Sequence, residues 1–258
     1  EQARLQSRDF FVVQHGSNPY EAIGKSLKDI NVQNVGIESD YATWEVLDSL
    51  RETSKFIQMV PLKLDFLRMV KDEEELGYIR TAMQITDQAF NQVIKIIKPG
   101  IQEREIALEL EYTMRKLGAE ASAFDVIVAS GPRSALPHGR ASKKIIELGE
   151  FVTIDVGAVY EGYNSDMTRT MVVGKATSKQ REIYNIVSKS QLAGIEAVKP
   201  GLTGIEIDRV SRKIIEEAGF AGNFGHGLGH GVGLNIHEEP RLSPVGDKIL
   251  AVNMVVTV

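Results

Sequence analysis

Apolar positions along this chain fall into two rhythms, one of period two and one of helical period. Residues 10–14 (FFVVQ) and 55–62 (KFIQMVPL) are short apolar runs and predict strands, while Tyr41 to Leu50 between them predicts a helix. This opening stretch, to about residue 64, reads as a small α/β piece. From residue 72 to 97 the pattern becomes helical, with Leu76, Ile79, Met83, Phe90, Val93, Ile94 and Ile97 keeping largely to one face. Asp72 and Glu75 have the spacing of a capping box, and Pro99-Gly100 ends the helix. A second helix is predicted from about Glu103 to Leu117, stopped by Gly118.

The same phrase then returns. KPGIQEREI (98–106) and KPGLTGIEI (199–207) are offset by 101 residues, which carries Gly100 to Gly201, Glu105 to Glu206 and Gly118 to Gly219. Helix, KPG break, helix is simple enough to recur by chance. The alternative is a duplicated half-domain with pseudo-twofold symmetry, whose site would lie between the halves. A β-type segment and a histidine loop follow the second helix of each copy. Adding 101 to His138 lands within two residues of His237, so both halves could aim an imidazole at one centre.

Residues 151–173, FVTIDVGAVYEGYNSDMTRTMVV, predict a hairpin turning at Glu161-Gly162. Paired residues then have numbers summing to 323, so Asp155 faces Thr168 and shares a face with Asp166. The two aspartates become diagonal neighbours, about 7–8 Å apart at the backbone. Aspartate is unfavourable in strands, and two on one face repel. Either the face is wet, or a divalent cation removes the penalty. Carboxylates with an imidazole suit Mn, Co, Fe or Zn.

Three of the five histidines, His226, His230 and His237, lie in the glycine-rich stretch GHGLGHGVGLNIHEE. His226 and His230 share a face if the segment is extended. His237 has the opposite parity, so a bulge or turn must intervene. His15 lies outside this pattern.

Composition narrows the field. The chain has 258 residues, 43% hydrophobic and 25% charged, enough for one large domain or two small ones. A net charge of −5 without a long basic run argues against nucleic acid. The absence of cysteine excludes disulfides, thiolate metal sites and a cysteine nucleophile, and fits a cytoplasmic location. No apolar run approaches the roughly 18 residues of a membrane helix.

HGLGHGVGLNIHE resembles the signature of the proline peptidases, aminopeptidase P and prolidase. TIDVGAVYEGYNSDMTRT is similar to that family's two-aspartate metal hairpin, and LPHG, with His138, to its substrate-side loop. The spacings agree: 17 from His138 to Asp155, 11 between the aspartates, then 4 and 7 along the histidines. The resemblance covers residues 65–258, with residues 1–64 similar to part of an α/β creatinase-type amino-terminal domain. It implies an α+β, pseudo-symmetric pita-bread catalytic domain. It also implies two divalent metal ions, Mn foremost with Co, Fe or Zn as alternatives, bound by two aspartates, one histidine and two glutamates. Carried over, Asp155, Asp166 and His230 are metal ligands. His138 and His237 hydrogen-bond the reacting carbonyl or the tetrahedral intermediate, and His226 lines the proline-side pocket. In the family the first glutamate directly follows a strand like NMVVTV, so the resemblance implies a domain truncated at Val258, without both glutamates and inactive alone. The implied activity is hydrolysis of the Xaa-Pro bond in dipeptides or at peptide amino termini. The implied partners are peptides with proline second, and a second copy in a homodimer. Rivals on the same fold are a methionine aminopeptidase, a creatinase and a non-catalytic binding module.

Overall fold

The first apolar run does not become a strand. In the computed structural model, which describes residues 2–7 and 9–258, residues 10–14 belong to no helix or strand, and Phe10 and Phe11 are exposed. A strand needs a partner ladder, and in this part of the chain the ladder is made elsewhere. Helices α1 (Gln2–Gln6) and α2 (Pro19–Asp29) precede strand β1 (Asn34–Glu38), helix α3 (Trp44–Thr53) and strand β2 (Gln58–Leu62). β1 and β2 pair in parallel, and α3 is the crossover that a parallel pair requires. β1 escapes prediction because its sequence, NVGIE, offers only two apolar positions. These elements lie in one compact unit, Glu1–Leu64; the second spans Asp65–Val258.

The second unit begins with α4 (Asp65–Met69) and α5 (Glu73–Val93). The capping box forms: Glu75 N–H donates to Asp72 Oδ1 at 2.9 Å, and Asp72 N–H to Glu75 Oε2 at 2.7 Å. The buried stripe of α5 is Ile79, Ala82, Ile85, Thr86, Ala89 and Val93, whereas Met83 and Ile94, expected on the core face, are exposed. Ala82 and Ala89 sit in this stripe beside the larger Ile79, Ile85 and Val93, and the helix packs on the helix Glu103–Lys116 as well as on the strands Ala158–Tyr160 and Tyr163–Asn164. The next elements are α6 (Glu103–Lys116), β3 (Ala121–Ser122), β4 (Ile127–Ser130), β5 (Phe151–Val156), β6 (Ala158–Tyr160), β7 (Tyr163–Asn164) and β8 (Met167–Val172). After them come α7 (Ser178–Ala197), α8 (Gly204–Glu217), β9 (Gly229–Gly231) and β10 (Glu238–Leu242). Two antiparallel three-stranded sheets, ordered β4-β5-β8 and β3-β6-β7, carry the larger core with α5 and α6. Ile207, Leu242 and Leu250 form a second, smaller cluster.

The two KPG copies are built alike. Gly100 and Gly201 have φ of 96° and 91°, in the left-handed region that a β-carbon disfavours. Gly118 and Gly219, at 108° and 86°, end the following helices in the same way. In the first copy Gly100 N–H donates to the Ile146 carbonyl, and Ile146 N–H to the Ile101 carbonyl, both at 2.9 Å. In the second, Gly201 N–H donates to Leu250 and Leu250 N–H to Leu202, both at 2.8 Å. Equivalent glycines, turns and docking segments in each half are what pseudo-twofold symmetry requires.

The run NMVVTV forms bridges rather than a ladder, Met254 with Val70 and Val256 with Gly231. Among the described residues no helix is long and apolar enough to cross a membrane.

Candidate active site

Every pair in the 151–173 hairpin follows the expected register, from Phe151 with Val172 to Tyr160 with Tyr163, and Asp155 faces Thr168. The hairpin is not continuous, however. It is divided at Gly157 on one strand and Ser165-Asp166 on the other, so its two parts belong to different sheets. A β-carbon on Gly157 would stand 2.0 Å from the Ser165 carbonyl oxygen, closer than any side chain allows. Ser165 is buried there beside Thr86 of α5, their hydroxyls 2.7 Å apart, and Ala158 N–H donates to both. Asp166 therefore leaves the ladder instead of occupying a diagonal strand position.

That departure brings the carboxylates together. Asp166 comes within hydrogen-bonding reach of Asp155. Thr168 Oγ1 donates to Asp155 Oδ1 at 2.8 Å. Burial and then the Asp166 charge push the Asp155 carboxyl up to about 6, against the Thr168 hydrogen bond and the His230 charge.

His230 lies on β9, which turns through residues 232–237 and returns as β10. This is the intervening turn that the parity of His237 demands, and it brings the His230 and His237 rings together, tilted by 59° with centroids 4.3 Å apart. His230 Nε2 is 3.3 Å from Asp166 Oδ2. Burial alone lowers the basicity of His230, but Asp166 and the Gly231 carbonyl more than offset it, and the net shift is upward. His237 goes the other way: burial first, then the His230 charge, hold it below its ordinary value.

Asp155, Asp166, His230 and His237 are thus brought together. His138 is exposed on the loop after β4, where its charge reaches His237. His226 is exposed, its Nδ1 2.7 Å from the Gly227 carbonyl oxygen and its ring edge-on to Phe224 at 5.1 Å. His15 is exposed, with its Nδ1 2.7 Å from the neighbouring Gly16 carbonyl oxygen.

Two carboxylates and an imidazole form a donor set suited to divalent Mn, Co, Fe or Zn. A half-buried carboxylate pair at hydrogen-bonding distance is also where a cation would relieve repulsion. Among the described residues, no three His, Asp or Glu side chains form a closed metal-binding group. The residues fit a metal as an open arc rather than a finished cage.

Several supporting residues carry no motif. Thr257 Oγ1 accepts from His230 N–H at 3.1 Å, and Thr257 N–H donates to the His230 carbonyl at 2.8 Å. Lys71 and Glu238 form a buried ion pair behind His237. Glu103, fully buried at the start of α6, accepts from Ser130 and Ser142, the two ends of the His138 loop. Asp208, on the core face of α8, accepts from Leu228 N–H at 3.0 Å. The one sequence signal for the last two is an acid on an otherwise apolar helix stripe.

Comparison with known proteins extends this picture. Residues 77–258 match the model of "Metallopeptidase family M24". A Xaa-Pro dipeptidase from Pyrococcus furiosus is 46% identical over 230 residues, covering 88% of this chain and 66% of that protein. Among solved structures, a Xaa-Pro dipeptidase from Bacillus anthracis is 44% identical with a TM-score of 0.96, over 99% of this chain and 72% of that one. An X-Pro aminopeptidase from Thermotoga maritima is 37% identical with a TM-score of 0.92, over 99% and 74% respectively. The chain spans about two thirds to three quarters of the length of these proteins. The fold is accordingly the pita-bread fold that the resemblance implies, in agreement with the two KPG halves. With the family's model matched from helix α5 to Val258 and the likeness running through the whole aspartate and histidine arc, this chain belongs to metallopeptidase family M24.

Proposed function

We propose that the protein hydrolyses the bond between an amino-terminal residue and proline, in dipeptides or at the start of longer peptides. The observation that carries this reading is the run of contacts from Asp155 through Asp166 and His230 to His237. Similarity to a Xaa-Pro dipeptidase and an X-Pro aminopeptidase supports the substrate class.

Asp155, Asp166 and His230 would hold divalent metal, two ions with Mn foremost. The chemistry supplied by such a pair is Lewis acidity, which activates water as a nucleophile and polarises the scissile carbonyl. Around it, this chain's residues have separate tasks. Thr168 fixes the rotamer of Asp155 through its 2.8 Å hydrogen bond. His237 keeps at least one ring N–H in either protonation state and can donate to the developing oxyanion. His138 would hydrogen-bond the reacting carbonyl from the loop after β4. His226 would line the side that receives proline, a residue with fixed φ and no N–H of its own. A homodimer and a cytoplasmic location belong to the same reading.

The test uses the full product of the gene, with the 258-residue chain measured alongside. After chelation and reloading with Mn(II), release of the first residue is followed from Xaa-Pro dipeptides and from longer Xaa-Pro peptides. Turnover of dipeptides alone indicates a dipeptidase, and turnover of the longer peptides an aminopeptidase. No turnover of either with Mn, Co, Fe or Zn refutes the proposal.

A further inference from the structure

The glycine-rich stretch carries two imidazoles four residues apart, and the structure holds them by different means. His230 is anchored by Thr257 through backbone hydrogen bonds in both directions, and by the neighbouring bridge from Gly231 to Val256. None of these contacts reaches His226.

His226 is governed from α8 instead. Asp208 is 1% exposed, and its carboxylate is gripped in bidentate fashion by Arg212, Nε to Oδ2 at 2.7 Å and one terminal nitrogen to Oδ1 at 3.0 Å. The same guanidinium donates to the Phe224 carbonyl at 2.8 Å and the His226 carbonyl at 2.7 Å. Asp208 Oδ1 also takes the Leu228 N–H at 3.0 Å. The guanidinium carbon lies over the Phe224 ring, 4.3 Å from its centroid, and that ring meets the His226 imidazole edge-on. The backbone carbonyls of Phe224 and His226 are therefore held by one planar cation, which also covers the Phe224 ring that meets the imidazole. Such a group needs a rigid fork of five donors, which arginine has and lysine lacks.

We infer that Asp208, Arg212 and Phe224 are positioning residues that set the His226 imidazole against the substrate independently of the metal-side imidazole, His230. Its substrate arm rests on the Xaa-Pro reading; its structural arm does not. Geometry supports the division: Asp208 takes the Leu228 N–H and Thr257 takes the His230 N–H, so the two anchors share no hydrogen bond.

The decisive variant is Arg212→Lys, which keeps a cation beside buried Asp208 and so keeps the helix folded, but cannot span both carbonyls and the carboxylate. Phe224→Leu removes only the ring contact. Both are made in the full product of the gene. Amide exchange by NMR reads the two anchors separately. Arg212→Lys is expected to speed exchange of Leu228 at least tenfold while Thr257, bonded to His230, changes less than twofold. With Xaa-Pro dipeptides, both variants are expected to raise KM about tenfold and to leave kcat within about threefold. Unchanged Leu228 exchange, or equal loss of protection at Leu228 and Thr257, overturns the inference, as does a fall in kcat without a rise in KM. If the unmodified protein cleaves no Xaa-Pro bond, the functional reading fails and the exchange comparison alone decides whether the two anchors are independent.

Discussion

Replacing Glu103 by glutamine tests whether a buried acid holds the His138 loop. The Glu103 side chain is fully buried. Its Oε1 accepts from Ser130 N–H at 2.7 Å and Ser130 Oγ at 2.9 Å. Its Oε2 accepts from Ser142 N–H at 3.1 Å, Ser142 Oγ at 2.6 Å and Arg133 Nε at 3.2 Å. Glutamine can satisfy the Ser130 side with its oxygen. Its NH2 group must then face the Ser142 N–H and the Arg133 N–H, donor against donor. The Ser142 hydroxyl can turn, but its backbone N–H cannot. An orphaned buried N–H costs about 1–3 kcal/mol, and loss of the charge on the remaining bonds adds about as much as one further hydrogen bond. Arg133 is one-third exposed and can hydrate, so its loss adds little. The sum is about 3 kcal/mol, or a fall in melting temperature of about 6–12 °C for a domain of this size. Urea unfolding gives the energy, and hydrogen exchange of residues 130–142 locates it. A loss below about 1 kcal/mol, or a loss with the loop as protected as before, would show that Glu103 does not cinch the loop.

Three more changes probe neighbouring steps. Gly157→Ala puts a β-carbon 2.0 Å from the Ser165 carbonyl oxygen, so the hairpin must part; a loss of about 1–3 kcal/mol or more is expected by denaturation, and a neutral result would mean the break is not held by close backbone approach. Thr168→Val removes the hydroxyl from Asp155 at an exposed position, so Mn(II) affinity measured by titration should fall about 10–100-fold while the melting temperature barely moves. Burial raises the pKa of Glu150, but hydrogen bonds from Lys144 and the Glu147 N–H outweigh it, and the net shift is downward. A carboxyl lowered in the folded state stabilises above its unfolded value of about 4.3 and loses that contribution as pH falls through the folded value. The stability gap between the wild type and Glu150→Gln should therefore be full at pH 7 and close below about pH 4, and a gap that widens in acid would refute the assignment.

What the sequence disclosed was mostly local. The capping box at Asp72, the glycine stops at Gly100 and Gly201 and the hairpin register all depend on residues a few positions apart, and each is present as read. The errors have a common cause in distant partners. FFVVQ has the composition of a strand, but a strand exists only where another offers a ladder, and none does so here. The core face of α5 is expected along its large residues, yet it buries Ala82, Thr86 and Ala89 beside Ile79, Ile85 and Val93 and leaves Met83 outside. NMVVTV has a strand's composition too, but its bridges go to separated partners, Val70 and Gly231, so no ladder forms.

The candidate site divides along the same line. Its motif residues were legible because the chemistry demands unusual types at fixed spacing: aspartates in an apolar hairpin, imidazoles among glycines. How they meet was not. The alternation of a regular strand would leave Asp155 and Asp166 as diagonal neighbours; the break at Gly157 and Ser165 brings them within hydrogen-bonding reach. That break depends on Thr86, seventy-nine positions before Ser165, which no periodicity in the hairpin could reveal. The anchors behind the histidines are equally remote: Thr257 for His230, Asp208 and Arg212 for His226, Glu103 for the His138 loop. Glu103 and Asp208 stand out in the sequence only as the one acid among the buried residues of their helices; Thr257 and Arg212 give no such sign. Donors and acceptors buried in that way must find partners. A lone acid on an apolar helix stripe is therefore a signal in itself, and in both halves of this domain it points to the loop that carries a histidine.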